Sequence, residues 1–259
     1  MKLAHVALIV ATALGAGLLA WRTAPRRTPR PAGAETARDA LEATIARAES
    51  LATARDPRAA LAELRSLSSE TDPRVTALFV RLTGCETDEV AIRAYEEVAG
   101  RRPEEFPELV RRRIEQGSWR RRSAAVRAAS LRALGAYARA GDRQVFWDAT
   151  RRYAPDEPEV AAAALDALGA LPDLAGAQVL AEFVELAERV AGTTPPPNRT
   201  GVSAATRASY DRLHDVALAA FNRATGAACA DAAACNAWCG ERFRGAAPQG
   251  GEPPGDDPR

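Results

Sequence analysis

The feature that most limits what this chain can become is a recurrence. The stretch SAAVRAASLRALG at 123–135 returns as DEPEVAAAALDALG at 156–169, and DPRVTALFVRLTG at 72–84 has the same build. Each has an early Val, small residues in the middle and an apolar residue followed by Gly near the end. Val126 recurs as Val160, and Leu134-Gly135 as Leu168-Gly169, both 34 residues on. EVAIRAYEEVAG at 89–100 is a looser copy. A period of this size is the mark of stacked helix pairs. One such pair cannot bury its apolar stripe alone, so pairs must stack on one another.

Composition agrees with a wholly helical chain. Aromatics make up only 5% of the residues, β-branched runs are scarce, and Ala, Leu, Glu and Arg are strong helix formers. The periodicity predicts helices near 35–52, 56–67, 72–83, 88–99, 104–116, 121–139, 143–152, 157–171, 174–191 and 202–225. Asp56-Pro57 and Asp72-Pro73 each offer an N-cap followed by a proline at the first helical position. Gly84 reads as a helix terminator.

The residues Asp72, Val126-Arg127-x-Ala129, Leu131-x-x-Leu134-Gly135, Pro158-x-Val160 and Leu165-x-x-Leu168-Gly169 together resemble the HEAT-repeat family. The resemblance covers 56–191 and is strongest at 123–171. It implies an all-α fold, a right-handed superhelix of stacked antiparallel helix pairs, and a protein-binding scaffold. The irregular length between 84 and 121 and the Arg/Glu insertion near 101–105 depart from the family pattern. Tetratricopeptide repeats share the period, but their aromatic and glycine signature is missing. An irregular helical bundle is the alternative without repeats.

Residues 3–21 form an apolar run of 19 residues, long enough as a helix to span a hydrocarbon core, with Trp21 suited to an interface. The run reads as a retained signal anchor, a single-pass transmembrane helix. A cleaved signal peptide is the competing reading, but Leu18 stands where a small residue is wanted for a cut after Ala20. Arg22, Arg26, Arg27 and Arg30 would hold the main domain in the cytoplasm by the positive-inside rule. The clustered cysteines and the short N-terminal flank favour the opposite side: a bacterial inner membrane with the domain in the periplasm. The expected organisation is an anchor at 1–21, a Pro/Arg-rich spacer at 22–34 and a repeat domain at 35–193. A Pro-rich connector at 194–200, C-terminal helices with the cysteines at 201–244 and a disordered tail at 245–259 complete it.

With 35 basic and 34 acidic residues the chain is no dedicated polyanion binder. All basic residues but Lys2 are arginine, a bias that resembles a GC-rich coding sequence. Their distribution is uneven: residues 101–143 hold twelve Arg against five acids, and residues 156–190 hold eight acids against Arg189. Arg120, Arg121 and Arg122 beside Trp119, with Arg111 and Arg112, form the candidate partner-binding patch, since Trp and Arg are typical interface anchors. Trp119 reads equally as a core residue. The basic block could also meet anionic lipid. Nucleic acid, reached through Arg111, Arg112 and Arg113 and through Arg120, Arg121 and Arg122, is disfavoured by overall neutrality, the anchor and missing recognition motifs.

Cys229, Cys235 and Cys239 lie close in sequence and suggest a disulfide, with Cys85 as a fourth candidate; sequence does not choose among the pairings. A zinc site using His214 or Cys85 with these thiols is the lesser reading. His214, flanked by Asp211 and Asp215, could act as a base, but no nucleophile is specified beside it. No phosphate loop, metalloprotease or nucleophile-elbow motif is present. The reading is a non-enzymatic, membrane-tethered scaffold for a protein partner that needs no cofactor. A lipid-surface module and a metal-binding or enzymatic accessory protein are the alternatives.

Overall fold

A computed structural model describes residues 32–192 and 202–245. The anchor at 1–21, the connector at 194–200 and nearly all of the tail lie outside the described residues. Those described form eleven α-helices, two short 3-10 turns and no strand. The chain divides into two compact units, Met1–Thr44 and Ile45–Arg259.

The helices are α1 (Ala32–Thr53), α2 (Pro57–Leu67), α3 (Pro73–Leu82), α4 (Asp88–Arg101), α5 (Phe106–Glu115), α6 (Ala124–Gly135), α7 (Arg143–Tyr153), α8 (Pro158–Leu168), α9 (Leu174–Gly192), α10 (Ala204–Thr225) and α11 (Ala232–Gly245). The 3-10 turns are Trp119–Arg121 and Ala140–Asp142. No helix among the described residues is long and apolar enough to cross a membrane.

Helix starts follow the capping chemistry. The Asp56 carboxylate accepts from the Ala59 amide at 3.1 Å and the Asp72 carboxylate from the Arg74 amide at 2.8 Å, with Pro57 and Pro73 at the first position. Ser123 and Ser203 do the same for α6 and α10 through the Val126 and Thr206 amides. Such caps contribute about 1 kcal/mol each.

Two boundaries differ from the sequence reading. Helix α1 begins at Ala32, inside the stretch expected as extended spacer, because that stretch contains no proline after Pro31. The single helix expected at 121–139 is a 3-10 turn, a Ser123 cap and a shorter α6. Beyond α6, Ala138 takes a left-handed φ of 49°, which ends any helical continuation.

The second unit is organised by its even-numbered helices. Helix α4 packs on α6, α6 on α8, and α8 on α10, while α3, α7 and α9 pack on α4, α8 and α10 respectively. Helix α8 is buried nearly all round, with Val160, Ala161, Ala163, Ala164, Leu165, Ala167 and Leu168 all in the core. Helix α10 continues this even row rather than forming a separate C-terminal piece, and α11 packs on α9.

Two glycines set the spacing of the row. A Cβ on Gly135 would lie 2.6 Å from the Ala167 Cβ and 2.9 Å from its Cα. A Cβ on Gly169 would lie 2.8 Å from the Ala220 Cβ and 2.9 Å from its carbonyl oxygen. Both glycines have ordinary helical backbone, so they serve close approach and not a left-handed turn. Gly84 likewise has no positive φ; the room it leaves admits the Arg113 guanidinium, 3.3 Å from where a Cβ would stand.

Gly169→Ala should therefore destabilise the protein by about 1–3 kcal/mol, because the added methyl meets backbone. Gly100→Ala, on α4 with nothing within 4 Å of the new methyl, should stabilise by about 0.4–1 kcal/mol. Urea midpoints of the two variants check this. Equal shifts of the same sign would show that the α8–α10 approach is not tight.

Candidate partner-binding surface

The patch expected from Trp119 and the arginines around it is split by the fold. Trp119 opens the 3-10 turn after α5 and is only 5% exposed. Its Nε1–H donates to the buried Ser130 hydroxyl at 2.7 Å, and its ring meets Tyr153 edge-on at 5.8 Å between centroids. The Arg127 guanidinium stands 4.8 Å from the Tyr153 ring centroid and 5.8 Å from that of Trp119, and pairs with Glu157. Trp119 is thus a core residue joining the α5 turn to α6 and α7. It is not an exposed anchor.

The arginines divide by helical position. Arg111 bonds the Asp142 carboxylate, which is fully buried at the start of α7, and also Glu108. The hydrogen bond to Asp142 is the main cause that holds the Arg111 guanidinium above its ordinary range. Arg113 turns inward to Thr83 and Tyr95, at 2.7 and 3.3 Å. Arg122 binds the Cys85 carbonyl at 2.7 Å and Asp88 at 3.3 Å. Arg112, Arg120 and Arg121 are exposed and make no ion pair among the described residues. Residues adjacent in sequence thus have opposite roles, because consecutive side chains point about 100° apart round a helix.

Arginines, some half-buried and others such as Arg55 and Arg81 exposed, form a bridging system that the sequence reading missed. Arg55 reaches Glu86, Arg81 reaches Glu49, Arg101 the carbonyls of Leu67 and Ser68, and Arg143 reaches Asp173. With Arg111–Asp142, Arg113–Thr83, Arg122–Asp88 and Arg127–Glu157, these links span 30–34 residues, close to the recurrence itself. Two of them, from Arg127 and Arg143, join the basic block to the acidic one, so the two blocks neutralise each other where they meet. The signal was present in the sequence as Arg and acid about one period apart.

Clefts lie between successive odd-numbered helices. Between α5 and α7 a cleft of about 300 Å3 has an apolar lining of Ile114, Trp119, Leu131, Val145, Ala149 and Tyr153; exposed Glu115, Arg120, Asp148 and Arg152 edge it. Between α3 and α5 a second, of about 440 Å3, is lined by Val80, Pro103, Phe106, Leu109 and Arg112. A third of about 440 Å3, between α1 and α3, is lined by Ala52, Arg55, Leu82 and Cys85. Arg112 and Arg120 therefore stand at two neighbouring clefts.

The remaining candidates lie elsewhere. His214 Nε2 is 3.3 Å from Glu188 Oε1, which also accepts from the Ala232 amide at 2.8 Å and so caps α11; Nδ1 is 3.2 Å from Asp215. This arrangement ties α9, α10 and α11 together and brings no nucleophile to the imidazole. Cys235 and Cys239 are buried on α11 and Cys229 is half-buried on the loop before it, whereas Cys85 faces the Ala52 carbonyl beside α1 and α3; all four are free thiols. Among the described residues no group of three or more His, Cys, Asp or Glu is placed to hold a metal ion. Comparison with protein-family models, with curated proteins and with solved structures finds no match.

Arg111→Ala should cost about 3–5 kcal/mol, since it strands the buried Asp142 carboxylate. Arg112→Ala should change stability by less than about 0.5 kcal/mol. Denaturant midpoints of these neighbouring variants separate the two roles; a mild Arg111→Ala would mean that Asp142 finds another partner.

Proposed function

We propose that this chain is a non-catalytic, membrane-tethered scaffold built as a HEAT-like α-solenoid, which binds a protein partner across the clefts of its odd-numbered helices. The observation that carries this reading is the even row: Gly135 against Ala167 on the next even helix, then Gly169 against Ala220 on the one after. Equivalent positions of successive hairpins make the same kind of contact, as units of a stacked array do. The even helices α6, α8 and α10 approach through Ala and Gly, while the odd helices α1, α3, α5 and α7 are spaced by clefts. Close packing of α6, α8 and α10 against wider spacing of the odd helices supports the curved superhelix of this reading.

The clefts supply what a partner segment needs: an apolar lining for a buried anchor, and charged side chains at the edge for orientation. Arg112, Arg120 and Arg121 are the arginines of the patch left for that task, and Trp119 contributes only as part of the cleft wall. In this reading the apolar run at 3–21 anchors the array in a bacterial inner membrane, and the clustered cysteines and short N-terminal flank support the periplasmic side over the cytoplasmic one.

Photo-crosslinking residues placed in the full-length chain at Gln144 and Leu109, each lining a cleft, should trap one and the same protein species in cells. The same probe at Arg132, exposed on α6 and outside these clefts, should not. Arg120→Glu with Arg121→Glu should cut the adduct about tenfold, equivalent to about 1.4 kcal/mol of affinity. Adducts of equal yield from Arg132, or adducts indifferent to the charge reversal, would sink the cleft assignment. Protease added after permeabilising the outer barrier should digest the helical region; full protection would place it in the cytoplasm.

A further inference from the structure

The cleft between α5 and α7 has a direction. Arg111, on α5, bonds Asp142 at the start of α7, and Trp119, just past α5, meets Tyr153 at the end of α7. The two helices therefore run alongside each other in the same sense, and position along α7 measures position along the cleft. Gln144, Asp148 and Arg152 face the cleft one helical turn apart, with Val145, Ala149 and Tyr153 beside them. From Val145 to Tyr153 the cleft runs about 12 Å, at 1.5 Å per residue.

Charge is sorted along that length. Glu115 and Asp148 edge the nearer part, and Arg120 and Arg152 edge the far end, next to the touching rings of Trp119 and Tyr153. All four are exposed, and none makes an ion pair among the described residues. The wall between them is apolar, and among the described residues that line it Gln144 alone carries a side-chain amide. Two consequences follow for an occupant. An extended segment pressed into this wall would bury backbone N–H and C=O groups with one amide to pair them, which is costly. A helix arrives with its backbone groups already paired. It also carries about half a positive elementary charge at its N-terminus and half a negative one at its C-terminus. Placed with its N-terminus near Glu115 and Asp148 and its C-terminus near Arg120 and Arg152, it complements the sorted charge of the cleft.

We infer that the α5–α7 cleft receives an amphipathic helix of the protein partner, lying along α7 and running in the same direction. The cleft volume of about 300 Å3 takes side chains and not a whole helix, so the helix lies over it. Apolar residues at i, i+4 and i+7 of the partner cover Val145, Ala149 and Tyr153; seven residues of helix advance about 10.5 Å, which matches the cleft. Acidic side chains in the last turn of the partner helix lie between Arg120 and Arg152, where each guanidinium has donors to spare. The inference rests on the scaffold reading and names the segment that the scaffold takes.

Photo-crosslinking residues placed singly at Gln144, Asp148 and Arg152 of the full-length chain in cells, with the joined peptides read by mass spectrometry, test it. The points of attachment on the partner should rise in residue number from the Gln144 probe to the Arg152 probe. Each step should be about four residues, because one turn of α7 advances about 6 Å and a helix covers that in four residues. An extended segment covers it in about two. With the probe at Gln144, Arg152→Glu should cut the adduct about tenfold. Arg151→Glu, next in sequence but with its guanidinium over the Trp147 ring, should change it less than about twofold. Steps of about two residues, attachment points that fall in number, adducts to an anionic amphiphile in place of a protein, or equal effects of the two charge reversals would overturn the helix assignment while leaving the scaffold reading standing. A Gln144 adduct no stronger than that from Arg132 would instead sink the scaffold reading, and this inference with it.

Discussion

The approach of α8 to its even neighbours on either side governs the second unit of this protein. At Gly135 and at Gly169 there is no room for even a methyl group, because the facing atoms belong to Ala167 and Ala220 and include backbone. A side chain at such a contact can rotate away, but backbone cannot, so these two positions fix the separation and rotation of three helices at once. The alanine content follows from the same constraint. A core made by bringing backbones together fills its space with main-chain atoms, and needs few aromatic side chains. Phe79, Phe106, Phe146, Phe183 and Phe221 are fully buried, but all except Phe221 belong to odd-numbered helices.

Where helices do not meet backbone to backbone, longer reach joins them, in the even row from Arg101 and Arg127 and in the odd row from Arg111. Arginine supplies that reach. Its guanidinium can satisfy a carbonyl pair at a helix C-terminus, as Arg101 does at Leu67 and Ser68, or a buried carboxylate, as Arg111 does at Asp142. Lysine, with one compact ammonium, could not make the forked contact. The near-total replacement of lysine by arginine therefore has a structural use here, whatever its origin. It also changes the meaning of the charge blocks. An excess of arginine at 101–143 does not make a basic surface when several of those side chains point at acids on the next hairpin.

The parts of the fold governed by local chemistry were legible. Asp56-Pro57 and Asp72-Pro73 mark helix starts because the cap and the fixed proline φ act within four residues. The recurrence at Val126 and Val160 marked two adjacent packed helices, since both bury the same small-residue face. What escaped depended on contacts distant in sequence. Gly84 reads as a terminator, and Gly135 and Gly169 as part of the recurrence, yet what the three face decides their role, and that lies on another helix. Arg111 and Arg112 read as parts of one patch when charge is counted along the chain, while the helix distributes it in angle, Arg111 to Asp142 and Arg112 to solvent. Trp119 had two readings, and Ser130 and Tyr153, eleven and thirty-four residues away, settle it.

The C-terminal helix follows from the same packing logic. The α9–α10 pair has an apolar face beyond the even row, and α11 lies over it on α9. Helix α11 answers this with an unusual sequence, AAACNAWCGERFRG, whose small residues and cysteines let it lie against α9 while Trp238 covers Phe221. Such a helix has little apolar area of its own with which to stay in place. The Glu188 and Glu185 bonds and the grip of Asn222 on the preceding loop supply by direction what it lacks in burial.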